Sequence, residues 1–463
     1  MSLPKGWVRT SLGELLAPRS DRVDPATCRD AKYIGLEHVE PQTSKILATV
    51  EAGQMSSSAA RFAAGDVLYG RMRPYLNKVV RPAFRGLASA EFIVLPPNEA
   101  IDGHFLLRRL SAADFVEFAC GQYEGDRPRV KFEQLASFPI ALPPRSEQGR
   151  IGVTLAELLA DLDTACAELE LARRKLALYR QSLLKSAVEG ALTAEWRDQQ
   201  SQSASAEPEG DREGWAEIPH TWRWSLAASH CGFITKGTTP PKSRTGEAPR
   251  TVPFLRVTNL THDGSLNFSD QVFVAEDVHR RLLARSIVKP GDVLMNIVGP
   301  PLGQVSLVPS TFPEWNVNQA IAIFRVEPGL LNEFLAYVLL SPGAGRWLQA
   351  RAKTTAGQTN LTLEVCRALP VPVPPLGEQA EIVRLLNQQL DALAEQGKVV
   401  GQALAMAAAQ RQNILRAAFS GQLVPQDPND EPASVLLERI RAQRQAAVPA
   451  AKRKPGRPAK AIA

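Results

Sequence analysis

Eight residues, Arg71-Met72-Arg73-Pro74-Tyr75-Leu76-Asn77-Lys78, bring three cations, an amide and an aromatic ring into one short stretch. A guanidinium can grip a guanine edge through two hydrogen bonds, an amide can pair with adenine, and an ammonium suits a phosphate. A solvated basic hairpin would have the same composition. Arg127-Pro128-Arg129-Val130-Lys131 adds a second basic stretch. Farther along, Lys236-Gly237-Thr238-Thr239-Pro240-Pro241-Lys242, Arg256-Val257-Thr258-Asn259, Asn316-Val317-Asn318-Gln319 and Gln358-Thr359-Asn360 mix phosphate-type with base-edge-type groups. Gly237 and Pro240 serve equally well as plain turn residues. The candidate contacts are therefore Arg71, Arg73, Tyr75, Asn77, Lys78, Arg127, Arg129 and Lys131 in the first half. In the second they are Lys236, Thr238, Lys242, Arg256, Asn259, Asn318, Gln319, Gln358 and Asn360.

Recognisable catalytic motifs are missing. There is no phosphate-cradling P-loop, no dinucleotide glycine fingerprint, no HExxH zinc helix and no Gly-x-Ser-x-Gly elbow. The Asp/Asn-Pro-Pro-aromatic signature of amino-methyltransferases is absent too. Six scattered histidines and five cysteines without a CxxC pair make neither a metal site nor a disulfide framework, which fits a reducing cytoplasm. A net charge of +6 is compatible with a polyanionic partner but is weak support alone. No apolar run is long enough to span a membrane, and no apolar leader opens the chain. The balance favours a binding or scaffolding protein without catalysis, metal or cofactor of its own.

The elements that must position these groups are written twice. Pro143-Pro144-Arg145-Ser146-Glu147-Gln148 recurs as Pro374-Pro375-Leu376-Gly377-Glu378-Gln379, an offset of 231 that holds without a gap to Leu192/Leu423. Upstream the offset drifts. It is 215 between Trp7 and Trp222, and 226 between Gly65-Asp66-Val67-Leu68 and Gly291-Asp292-Val293-Leu294. Surface loops accept length changes, whereas a packed rod in register does not. Leucine stands at every seventh position in Leu155, Leu162, Leu169, Leu176 and Leu183, with Leu158, Ala165, Ala172 and Tyr179 between them. Leu386, Leu393, Val400, Ala407 and Ile414 repeat the period. Two such stretches predict long helices paired as an antiparallel coiled coil, each opening after Pro-Pro and ending at Gly190 or Gly421. At 1.5 Å per residue, Ser146 to Gly190 spans roughly 67 Å. An amphipathic helix lying on a globular core is the alternative.

The expected organisation is a globular part over 1–145, a helix over 146–194 and a flexible linker over 195–215. A second globular part over 216–376, a helix over 377–422 and a tail over 423–463 complete it. Alternating runs such as Phe92–Leu95 and Ile321–Phe324, interrupted by short helices near Phe105–Leu110 and Glu333–Leu340, predict a mixed α/β or α+β fold class with an internal pseudo-two-fold repeat. In the tail, Ala433–Arg444 predicts a short amphipathic helix carrying Val435, Leu436 and Ile440. Lys452-Arg453-Lys454-Pro455-Gly456-Arg457-Pro458 is similar to an AT-hook, with Pro455 where an arginine normally precedes the glycine.

Taken together, these motifs resemble the specificity subunit of type I restriction–modification systems. The resemblance rests on Leu3-Pro4-Lys5-Gly6-Trp7, Thr235-Lys236-Gly237-Thr238-Thr239-Pro240 and both Pro-Pro-x-x-Glu-Gln helix openings. The two helix ends, Leu183–Leu192 and Ile414–Leu423, complete it, and the family's order of elements runs through almost the whole chain. The resemblance implies two target-recognition domains reading the halves of a bipartite, asymmetric site on double-stranded DNA, with the paired helices fixing the spacer. It also implies docking of two methyltransferase subunits and of restriction (translocase) subunits. S-adenosylmethionine, ATP and Mg would reside in those partners. A specificity subunit of a related system that cuts outside its site would look the same. A coiled-coil scaffold with two protein-binding domains and no DNA affinity is the rival from another class.

Overall fold

The computed structural model describes residues 3–123, 128–200, 213–240, 250–261, 263–355 and 358–447. Arg127, Lys242 and the AT-hook-like end lie outside them. The chain is mixed α+β and divides into two units: Met1–Leu169 with Gln402–Ala463, and Glu170–Gly401. Among the described residues no helix is long and apolar enough to cross a membrane.

In the first unit, strand Val8–Ser11 pairs antiparallel with Pro139–Leu142, clasping the start of the globular part to its end. Between them lies a five-stranded sheet in the order Arg22–Val23, Ala59–Phe62, Gly86–Ser89, Lys32–Ile34, Val50–Glu51. A three-stranded sheet follows, with Val67–Gly70 between Val79–Val80 and Phe92–Leu95. Both faces of Val67–Gly70 and Phe92–Leu95 are buried, which is why these strands read as continuous apolar runs. Tyr69, Phe105, Phe115 and Phe138 form the aromatic centre of the core.

The second unit repeats this plan. Strand Arg223–Leu226 clasps Pro370–Val373 antiparallel. Ile321–Val326 and Val293–Asn296 lie at the centre of a four-stranded sheet, and a second four-stranded sheet contains Arg250–Leu255. The parallel pairing of Tyr33 with Leu87 has its counterpart in Phe254 with Asn316. The predicted short helices are Gly103–Arg109 and Asn332–Leu340.

Two helices of 44 residues each, Arg145–Val188 and Leu376–Phe419, start within one residue of the predicted openings. Beyond them Gly190 and Gly421 adopt φ of +83° and +74°, the left-handed conformation that stops a helix. Leu155, Leu183, Leu386 and Ile414 are buried, and Leu162, Leu169, Leu176, Leu393, Val400 and Ala407 are half-buried. Inside the first unit Arg411 of the second helix pairs with Asp163 of the first. Inside the second unit Tyr179 of the first helix donates to Gln389 of the second at 3.5 Å. Each unit therefore holds a segment of both long helices in side-chain contact.

Three expectations are corrected. Leu158 and Tyr179 are exposed, whereas Leu159 is 2% exposed. The buried stripe steps from Leu155 to Leu159 because 3.6 residues per turn outrun a strict 4/3 alternation wherever a globular core packs alongside. The linker does not begin at 195: Ala194–Asp198 is helical, and Arg197 ties it to Glu378. The tail helix is Ala433–Ala447 and buries Leu436, Leu437 and Ile440 in the first core, leaving Val435 44% exposed.

Candidate nucleic-acid interface

The two basic stretches of the first unit meet in space. Strand Val67–Gly70 delivers Arg71, whose N–H donates to the Glu91 carbonyl at 2.9 Å and whose carbonyl accepts from Val130 N at 3.0 Å. Arg73 N donates to Pro128 O at 2.8 Å, and Met72 bridges Arg129 in antiparallel fashion. The Glu91 carboxylate then lies between two guanidiniums, 2.5 Å from Arg129 and 3.5 Å from Arg71. It holds both heads in place while leaving their charge in excess by one. Arg73 is exposed at φ +49° and Tyr75 is 45% exposed, both free to meet a ligand. Lys131 is exposed ahead of the short helix Phe132–Leu135. Lys78 does not fit the phosphate role assigned from sequence. Its ammonium donates to Leu36 O at 2.7 Å and secures the neighbouring turn. Asn77 points inward, 5% exposed, with no partner on Oδ1.

In the second unit the same topological position is uncharged. Continuing the offset of 226 from Val293 places Ile297–Gln304 where Arg71–Lys78 stand. The bridge of Met72 to Arg129 becomes that of Val298 to Asn360, in strand Gln358–Asn360. Asn296, fully buried, fixes this loop by accepting from Val298 N at 3.0 Å and donating to Pro301 O. Sequence reasoning missed the loop because it searched for charge. The offset running on from Gly291-Asp292-Val293-Leu294 was the signal that could have found it.

The other second-unit candidates gather around one turn. Lys236 is exposed at the end of strand Cys231–Lys236. Gly237 N donates to Ile321 O at 3.0 Å, Thr238 N to Val317 O at 3.1 Å, and the Thr239 hydroxyl donates to Gln319. Asn318 is half-buried with an unpartnered Oδ1, and its N–H donates to Leu255 O, next to Arg256. Arg256 is held by Asp270 through its carboxylate at 2.5 Å. Asn259 is corrected: at 1% exposure it accepts from Arg256 N and donates to Asn267 O, closing a turn, so neither amide end can reach a base. A Cβ on Gly237 would overlap the Val317 and Asn318 carbonyl oxygens. Gly237→Ala is expected to cost about 1–3 kcal/mol, read as a lower urea midpoint at unchanged slope.

The repeated motifs turn out to be anchors. In the first unit the Trp7 indole N–H donates to both oxygens of buried Glu147 at 3.1 Å. Gln148 donates to Ala100 O and Pro143 O and accepts from Asp102 N. In the second unit Trp222 donates to Glu378 at 2.8 Å, while Gln379 donates to Gly329 O and Pro374 O and accepts from Leu331 N. Each Pro-Pro-x-x-Glu-Gln opening thus bolts a long helix to its globular part through one indole and three backbone groups. The incoming helix end is fastened in the same way. Gly190 packs on Pro219 and Gly421 on Pro4, with no room for a Cβ at either glycine. Glu378 gains two further donors, Thr193 at 2.7 Å and Arg197 at 3.0 Å. Burial pushes the Glu147 carboxyl above its ordinary range, against the pull of the Trp7 indole. No group of three metal-ligating side chains occurs among the described residues.

Comparison with known proteins gives these features a context. Residues 232–398 match the type I restriction modification DNA specificity domain. The chain is 30% identical to the type I restriction enzyme EcoBI specificity subunit of Escherichia coli, over 66% of this chain and 65% of that one. It is 29% identical to the EcoKI specificity subunit of Escherichia coli K12, over 66% and 64%. The chain therefore covers slightly less than two thirds of these relatives. The fold is similar to that of a chain in a solved structure of the type I R-M system, concerned with complex assembly and conformational transition. The TM-score is 0.66 at 22% identity, over 91% of this chain and all of that one.

Proposed function

We propose that this chain is a specificity subunit of the type I restriction–modification family, and so the non-catalytic DNA reader of such a complex, on the strength of the match over residues 232–398 and the 30% identity to the EcoBI specificity subunit. Each globular part reads one half of a bipartite, asymmetric site. The two long helices pair as an antiparallel coiled coil, fix the spacer between the halves and dock two methyltransferase subunits, with restriction subunits joining them. S-adenosylmethionine, ATP and Mg serve the partners.

One observation carries this reading. The indole–carboxylate anchor recurs in both units, as Trp7/Glu147 and Trp222/Glu378, while the loops carried differ in chemistry at one topological position. Arg71–Lys78 is cationic and Ile297–Gln304 is not. Equivalent mounts with unlike heads suit a reader of two different half-sites.

Arg73→Ala is the direct test. A base contact is worth about 1–3 kcal/mol of discrimination, so the variant is expected to lose that preference at one half-site and keep the other. Binding selection from a randomised duplex library, with methyltransferase partners present, reads both halves at once. Uniform weakening across all sequences would make Arg73 a phosphate contact. No duplex affinity in the wild-type complex would favour a protein-binding scaffold instead.

A further inference from the structure

A cavity of about 310 Å³ opens behind the basic loop of the first unit. Tyr75 and Asn77 of the loop, Ser44 of a nearby turn, Arg108 after Leu107 and Arg411 of the second long helix face it. Among the described residues, the four non-glycine positions with positive φ are Gln42, Ser44, Arg73 and Asn77. Three of them line this cavity, and Gln42 N donates to Leu76 O at 3.2 Å, joining turn to loop. Backbone strain of this kind gathers at ligand sites.

The charges inside do not balance. Asp163 answers both Arg411 and Lys45, the latter at 3.8 Å. Arg108 has no ion pair or side-chain hydrogen bond among the described residues. Burial, with Arg411 close by, holds its pKa below the ordinary value against the pull of Asp163. Exposed Glu117 is the one carboxylate on the wall. With Asp163 shared among Arg411, Lys45 and Arg108, the cluster keeps an excess of positive charge that favours a further anion. Asn77 lines the cavity with a buried amide whose Oδ1 has no partner. A half-turn of the amide exchanges its oxygen and nitrogen, so the same group can offer Nδ2 as a donor.

The second unit supplies an internal control. A cavity of about 290 Å³ occupies the equivalent place, with Arg180 for Arg411 and Leu390 for Leu159, both at the offset of 231, and Ser265 for Ser44. Here Arg180 donates to Asp263 O at 2.7 Å, Tyr337 stands in place of Arg108, and Glu333 and Asp391 line the wall. That cavity is acidic and has no call for an anion.

We propose that the first cavity is a phosphate site, in which one tetrahedral phosphate group sits between the Arg108 and Arg411 guanidiniums with the Asn77 amide as a further donor. Paired guanidiniums match phosphate oxygens through several short bonds. Because Tyr75 and Asn77 share a loop with Arg73, an occupied site steadies the conformation that presents Arg73. The phosphate comes either from a duplex backbone, an assignment that rests on the proposed DNA-reading function, or from free phosphate.

Inorganic phosphate titrated into the full chain at constant ionic strength, followed by calorimetry, separates these cases. The wild type is expected to bind. Arg108→Gln and the nearly isosteric Asn77→Asp, which adds a repelling charge, are each expected to weaken binding at least about tenfold, while Tyr337→Phe leaves it unchanged. If the source is a duplex, Arg108→Gln also weakens DNA binding equally across sequences and lowers the salt slope by about one. If the source is free phosphate, duplex binding and its slope stay the same. Wild-type protein that binds no phosphate, with duplex affinity and slope untouched by Arg108→Gln, overturns the proposal. So does a loss confined to partner-protein binding. Wild-type protein that binds phosphate but reads no DNA keeps the site and sinks the DNA-reading function.

Discussion

Glu378→Ala is expected to lower the unfolding free energy by about 3–5 kcal/mol, the largest stability loss of any substitution considered for this chain. Glu378 is fully buried and accepts from the Trp222 indole, the Thr193 hydroxyl and the Arg197 guanidinium. Arg197 is 13% exposed, so alanine leaves a nearly buried cation without its partner as well as two orphaned donors. Glu147→Gln in the first unit is the contrasting case. Trp7 is the indole that answers Glu147 there, and burial already raises that carboxyl's pKa. A carboxyl whose folded pKa exceeds its unfolded one weighs against the fold once ionised, and the fold gains as pH falls through the folded value. The amide keeps an acceptor for Trp7 and removes the buried charge, so at pH 7 the change is expected to be about 1 kcal/mol or less. Urea unfolding of both variants measures the difference. Equal losses would show that Thr193 and Arg197 add nothing to the second anchor.

The repeat made much of this architecture legible before any coordinates. A constant offset can persist through 50 residues only if insertions are forbidden, and the 44-residue helices are the elements that forbid them. The drifting offset belongs to the stretches upstream of those helices, where strands and loops alternate. The mixed α+β class followed from short apolar runs such as Phe92–Leu95, buried on both faces.

What stayed hidden depends on contacts between distant residues. Trp7 and Glu147 are 140 positions apart, and nothing local in Leu-Pro-Lys-Gly-Trp reveals that its indole meets a carboxylate at a helix start. Among the candidate contacts, composition could not separate Arg73, exposed on a strained turn, from Asn259, buried and engaged with backbone on both sides. The uncharged loop Ile297–Gln304 was invisible to a search for cations, although its position was fixed by the offset of 226. The step from Leu158 to Leu159 in the buried stripe follows from the core alongside the helix, which the heptad pattern does not encode.

On the proposed DNA-reading function, removing one heptad from each long helix, Glu168–Arg174 and Gly397–Ala403, is expected to abolish high-affinity binding to the bipartite site. Each cut drops one seam position, Leu169 or Val400. Leu162 then stands seven residues from Leu176 and Leu393 seven from Ala407, so the seam keeps its phase. Each helix shortens by about 10 Å. That is the rise of about three base pairs, and three base pairs turn a duplex by roughly 100°. Both heads can then no longer face their half-sites on the original spacer, and the advantage of linked binding, about 10²–10⁴-fold, is lost. A selection with randomised spacer lengths should recover a different preferred spacing, while each half-site keeps its sequence because the reading loops are untouched. An unchanged preferred spacer with affinity within about threefold of wild type would mean that the helices do not set the distance between the heads.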